Sequence, residues 1–168
     1  MPIEYAAAQK WLNRYKLQSE LIDRKIQRID MLKDKAYSPG SPKIDGMPKN
    51  KDPSNDRYGH LLEVCEGIEN ELSGDIEKRR MIYKQIDSMI KRLKGRGGAD
   101  MRLVLQMKYL DLFEWSDIID ALFLDKADFS DKEDSYRRRT FKIHQEGITC
   151  LSALMGKDEL QDIAEFYS

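Results

Sequence analysis

Two long runs in which apolar side chains recur every three or four residues dominate this chain, and a proline-rich segment separates them. In the first, Leu12, Tyr15, Ser19, Ile22, Ile26 and Ile29 alternate the two spacings, with Ser19 as the polar position. In the second, Leu61, Cys65, Ile68, Leu72, Ile76, Arg79, Tyr83, Ile86, Ile90 and Leu93 do the same, except for a longer step at Ile68, Leu72 and Ile76. Such a repeat lays apolar side chains along one seam of a helix, as in a coiled coil. Proline is absent between Pro2 and Pro39, so nothing interrupts the first run. Residues 36–57 contain most of the prolines, and each residue before a proline is pushed out of helical geometry. The expectation is a helix over residues 3–35, a linker over 36–57 and a helix over 58–94. Each helix would be roughly 50 Å long, and their matched lengths suggest an antiparallel hairpin over residues 1–94.

Leu17, Leu21 and Leu32 widen the apolar face beyond what one partner helix can cover. Pairing two hairpins into a four-helix bundle would cover it. A homodimer is therefore expected, with a higher homo-oligomer as the alternative. The residues expected to hold it are Leu12, Tyr15, Ile22, Ile26, Ile29, Leu72, Ile76, Tyr83, Ile86, Ile90 and Leu93. A C-terminal domain folded back over the seam is the competing way to bury it.

Gly95-Arg-Gly-Gly98 stops the second helix as a hinge or cap. Three further helices are expected over residues 99–156. The first carries Met101, Val104, Leu105, Tyr109 and Leu112; the second starts near Ser116, a candidate N-cap, and buries Ile118, Ile119, Leu122 and Phe123. The third has Phe141, His144, Ile148, Leu151 and Met155 on its buried side, with basic residues near its start. A short helix, a turn and a helix with a basic N-terminal end make a helix-turn-helix, whose second helix enters the DNA major groove. Residues 157–168 read as a tail helix that packs on this domain or meets a partner. The fold class is thus all-α: a long N-terminal coiled-coil hairpin followed by a three-helix domain.

The residues Met107-Lys-Tyr-Leu, Trp115 with Ile118, Ile119 and Leu122, and Thr140-Phe-Lys-Ile-His-Gln-Glu-Gly-Ile with Leu151 resemble region 4 of bacterial sigma factors. They are most similar to the sigma-region-4-like phage regulators of the ArpU and RinA type, and the whole chain resembles a family of streptococcal phage proteins. The chain departs from that pattern in a longer turn, roughly Asp125 to Ser130, and in Gly147, where the family tends to carry alanine. The resemblance implies a sequence-specific DNA-binding regulator of phage or prophage genes, with double-stranded DNA and host RNA polymerase as candidate partners. A small terminase-like packaging subunit, or a coiled-coil adaptor that binds protein alone, are the alternatives.

Charge marks the candidate contacts. Between Lys78 and Arg96 basic residues outnumber acids strongly, whereas acids dominate from Asp111 to Asp134. Lys91, Arg92, Lys94 and Arg96 are candidate phosphate contacts. Lys132, Ser135, Tyr136, Arg137, Arg138, Arg139 and Lys142 are candidate DNA-binding residues, and helical spacing puts Arg138 and Lys142 on one face. The competing reading of both runs is a solvated helix face. A net charge of −1 argues against a nonspecific polycation. Cys65 and Cys150 are isolated, which suits a reduced compartment. No signal peptide or membrane-length apolar run is visible, so a cytoplasmic location in a bacterial host cell is expected. The acids from Asp125 to Glu133 lack the alternate spacing and central glycine of a calcium loop, and His60 and His144 lie in different segments with no obvious partner in the sequence. No metal, no cofactor and no enzymatic activity are expected.

Overall fold

The computed structural model describes residues 3–37 and 54–156. Five helices follow in order: α1 (Ile3–Tyr37), α2 (Ser54–Lys91), α3 (Gly98–Tyr109), α4 (Trp115–Phe123) and α5 (Phe129–Leu154). The fold is all-α, with α1 and α2 paired as a hairpin and α3 to α5 forming a small helical domain. Helix α2 starts at Ser54, four residues ahead of the expected position, and α4 is capped at Glu114, so Ser116 lies inside its first turn. Residues 38–53 of the expected linker and the expected tail helix lie outside the described residues.

Two compact units divide the chain. Among the described residues, the hairpin unit comprises 18–37 and 54–79. Its helices run antiparallel: Gln18 meets Asp75, Lys25 meets Glu71, and Lys33 meets Glu69. Ile22, Ile29, Cys65 and Ile68 are buried between them, as the three-four spacing dictates. One edge is closed by polar groups. Gln18 Nε2 donates to Asp75 Oδ1 at 3.1 Å, and Lys25 Nζ reaches Asp75 Oδ2 at 2.6 Å and Glu71 Oε2 at 2.9 Å. The Lys25 ammonium holds the Asp75 carboxyl below its ordinary range.

Among the described residues, the core unit joins 3–17 and 80–156. Tyr5, Ala8, Trp11 and Leu12 of α1 share one dry core with Ile82, Ile86, Ile90 and Leu93, and with Leu105, Tyr109, Ile148 and Leu151. The boundary expected at residues 94–99 is therefore not a break in packing. Gly95 and Gly97 have φ of 99° and 80°, a left-handed geometry that other residues adopt only under strain, and they turn the chain from α2 into α3. Arg102 Nη1 donates to the Leu93 carbonyl and satisfies the end of α2. A satellite cluster of Val104, Met107 and Ile118, flanked by Trp115, Leu122 and Ile143, fastens α4.

This arrangement corrects the expected oligomer interface. Leu12, Ile86, Ile90 and Leu93 are filled in by the chain's own C-terminal helices, and Ile22 and Ile29 by the partner helix of the hairpin. Tyr15, Leu72 and Tyr83 are half-buried, and Tyr15 and Tyr83 meet edge to face at 5.6 Å. Of that set only Ile26 and Ile76 remain exposed, at 42% and 44%. Periodicity reports an apolar face but not its occupant, and here α3 and α5 occupy half of it.

Candidate nucleic-acid interface

Helix α4, residues 124–128 and α5 cover the stretch in which the helix-turn-helix is expected. The chain leaves α4 through two turns, in which Lys126 N–H donates to the Phe123 carbonyl and Phe129 N–H to that of Lys126. Asp128 then organises the start of α5. Its carboxylate accepts from Lys132 Nζ at 2.7 Å and from the Tyr136 hydroxyl at 2.6 Å. These partners hold its pKa down at about 2. The backbone departs from helical geometry at Lys132, with φ −126° and ψ 22°, so the first turn of α5 is set off from the rest.

An aromatic stack backs this network. The Tyr136 ring lies 4.6 Å from Phe123 and 5.9 Å from Phe129, and the Arg139 guanidinium sits 5.4 Å from the Phe123 centroid. Tyr136, Lys132 and Arg139, expected to touch DNA, thus already serve the turn itself. Sequence reading missed this, although Asp128 precedes Lys132 by one helical turn and Tyr136 by two. Spacing alone does not say that the three would be tied together.

The buried face of α5 is formed by Thr140, His144, Gly147, Ile148 and Leu151. Thr140 hides its hydroxyl by donating to the Tyr136 carbonyl at 3.0 Å. His144 Nε2 lies 3.0 Å from the Tyr109 hydroxyl, and its ring meets Trp115 edge to face at 5.0 Å. Burial, reinforced by Lys108, pushes its pKa down to about 4, so it is neutral at ordinary pH. Burial also raises the Tyr109 phenol. Phe141, expected inside, is instead a partly exposed flank that packs on Trp115 at 4.7 Å. Gly147 has a packing reason: a Cβ there would stand 3.1 Å from Leu105 Cδ1 and 3.5 Å from Met101 Cβ, so glycine lets α3 and α5 approach closely.

The opposite face of α5 is the candidate contact surface. Ser135, Arg138 and Lys142 are exposed on it, whereas Arg137, also exposed, lies one turn before Thr140 and two before His144, on the stripe that the buried residues continue. Arg137 and Arg138 have no hydrogen bond or ion pair among the described residues, and Lys142 has only a distant pairing with Glu146 at 3.9 Å. Arg138 borders an open concavity of about 490 Å³, shared with Asp131, Glu133 and Asp134. These carboxylates would oppose phosphates at close range, so the surface is mixed in charge rather than a plain phosphate cradle. A second hollow of about 570 Å³, bordered by Tyr5, Met101, Lys142 and Thr149, lies further along α5. The candidate phosphate contacts Lys91, Arg92, Lys94 and Arg96 are exposed and belong to the same compact unit as α5. Lys91 is engaged by Asp87 at 2.6 Å, and Arg92 Nη1 approaches Met89 Sδ at 3.6 Å. Among the described residues no group of three or more His, Cys, Asp or Glu side chains could hold a metal, and no helix is long and apolar enough to cross a membrane.

A family model described as a protein of unknown function, DUF1492, matches residues 39–139, more than half of the chain. The match runs from the proline-rich segment through α2, α3 and α4 to the arginines of α5. No curated protein and no solved structure matches the chain. The chain belongs to the DUF1492 family.

Proposed function

We propose that this DUF1492 protein is a sequence-specific DNA-binding regulator of phage or prophage genes, which binds as a homo-oligomer and has host RNA polymerase as a candidate partner. The observation that supports the reading best is the start of α5. An exposed face there presents Arg138 and Lys142, while the reverse face is locked into the core by Thr140, His144 and Gly147. The turn before it is rigidified by Asp128, Lys132 and Tyr136, so the arginines project from a fixed support. A preorganised arginine pairs with guanine bidentately at a small entropic cost. The sigma-region-4 resemblance falls on the same helices, and it alone supplies the phage setting and the polymerase.

A selection of fragments from the source genome, read by sequencing, should yield a preferred site. On that site Arg138→Ala is expected to cost about 1–3 kcal/mol and to relax the choice at one base pair. Lys91→Ala should weaken all sequences alike and flatten the salt dependence by about one ion. If the joint change of Arg137, Arg138, Arg139 and Lys142 to alanine left binding intact, α5 would not be the reading helix.

A further inference from the structure

The candidate DNA-binding residues of α5 fall on different lines of the helix. Lys132, Tyr136, Arg139 and Ile143 follow one another at spacings of four, three and four, so they share one stripe. Each engages α4, the turn that leaves it or the cluster that fastens it. Tyr136 stacks on Phe123, the last residue of α4, and Arg139 sits over the same ring. Ile143 packs against the cluster of Val104, Met107 and Ile118. Lys132 and the Tyr136 hydroxyl both donate to Asp128 in the turn. Ser135, Arg138 and Lys142 form a second stripe, roughly 100° round the helix from the first, and all three are exposed.

The kink at Lys132 gives the first stripe its task. A regular helix passes its direction from turn to turn, but a residue outside helical geometry lets the axis change. The segment from Glu133 onward therefore takes its aim from side chains. Asp128 supplies it through two short charge-assisted hydrogen bonds, at 2.7 Å from Lys132 and 2.6 Å from Tyr136, one helical turn apart. The Tyr136 ring adds the contact to α4. We infer that Lys132, Tyr136 and Arg139 are positioning residues, held by Asp128 and Phe123, and that Ser135, Arg138 and Lys142 alone of the candidates on α5 meet DNA. The inference rests on the DNA-binding reading and deepens it by dividing its candidate residues into supports and contacts.

The test uses the full chain in two measurements: binding to the selected site and to unrelated DNA across a salt series, and amide hydrogen exchange without DNA. Tyr136→Phe keeps the ring stack and loses the hydrogen bond. It should weaken the preferred site about tenfold more than unrelated DNA, and should add nothing in an Asp128→Ala background. Lys132→Met should weaken the site with the salt slope intact, because Asp128 already matches that charge, whereas Lys142→Met should flatten the slope by about one ion. Without DNA, Asp128→Ala should speed exchange over residues 133–139 at least about tenfold, while Ile148 and Leu151 stay protected. A Tyr136→Phe loss that adds fully to that of Asp128→Ala makes Tyr136 a direct contact and overturns the inference, as does a slope flattened by Lys132→Met. Should Asp128→Ala lower helicity, the cycle of Tyr136→Phe with Lys132→Met replaces it, and additive losses overturn the inference in the same way. A wild type that selects no site defeats the regulator reading, and hydrogen exchange then decides alone: faster exchange leaves the supports standing, and unchanged exchange removes them.

Discussion

The hairpin unit and the core unit are built from the same two helices, yet they are held by different means. In the core unit the seam of α1 and α2 is sealed by α3 and α5, giving a dry cluster in which Leu12, Ile86, Leu105, Ile148 and Leu151 have no exposure at all. In the hairpin unit the seam buries, among the described residues, Ile22, Ile29, Cys65 and Ile68, with Gln18 and Ser19 beside them, and leans on the ion pairs of Lys25 with Glu71 and Asp75 and of Lys33 with Glu69. Polar closure fixes register well but adds little net stability, because each charge gives up hydration to make its pair. The core unit can therefore support a site needing fixed geometry, whereas the hairpin unit keeps apolar surface in reserve.

The largest effect that would break this contrast is a buried charge. Ile86→Asp should cost more than about 4 kcal/mol and unfold the core unit, since an unpaired carboxylate has nothing to meet there. Denaturant titration followed by circular dichroism measures it. If the variant merely dissociated an oligomer and kept its stability, Ile86 would belong to an interface between copies. Next in size, Leu105→Ala should cost about 3–5 kcal/mol and Ile68→Ala about 2 kcal/mol, because the first leaves a cavity in a sealed core and the second one in a thin seam that can collapse. Equal losses would erase the distinction.

Acid should act on the core unit. His144 is held neutral in the fold, with a pKa of about 4 against an ordinary value near 6.5. The unfolded chain therefore binds more protons between those values. Stability is complete above pH 6.5, falls as pH drops from there to about 4, and is lower by on the order of 3 kcal/mol at the end of that window. Asp128, depressed to about 2, adds a further loss only below its ordinary range. His144→Phe should remove the slope between pH 6.5 and 4 while leaving the more acidic one. A wild-type stability flat from pH 7 to 4.5 would mean that His144 is not sealed as described.

Much of this was legible in the residues. Proline spacing and the three-four repeat located α1 and α2, and the glycines after Leu93 marked the turn into α3. Two things were not legible, for different physical reasons. The occupant of a seam depends on contacts distant in sequence, so Leu12 looked the same as Ile26 although one is sealed and the other open. At the candidate site the arginines were visible as charges. Their division of labour was not, because the Asp128 network and the stacking of Tyr136 on Phe123 arise only once the turn has folded.

The smallest effect is also the sharpest, because one substitution should take opposite signs in the two units. Glycine inside a helix loses more conformational freedom on folding than alanine, so Gly→Ala at an unobstructed helical site stabilises by about 0.4–1 kcal/mol. Gly74 in the hairpin unit is such a site, exposed and with nothing within 4 Å of an added Cβ. Gly147 in the core unit gains the same backbone term but must push back Leu105, 3.1 Å away and without exposure. A sealed side chain has no free volume to yield into, so strain offsets the gain. Gly74→Ala should raise stability, and Gly147→Ala should leave it unchanged or lower it by less than about 1 kcal/mol. Gly147→Val, with two more carbons at the same contact, should lose about 1–3 kcal/mol. Thermal melts of the three variants decide the point. A clear gain from Gly147→Ala would mean that α3 and α5 can part at no cost, and the fixed support assigned to the α5 arginines would lose its basis.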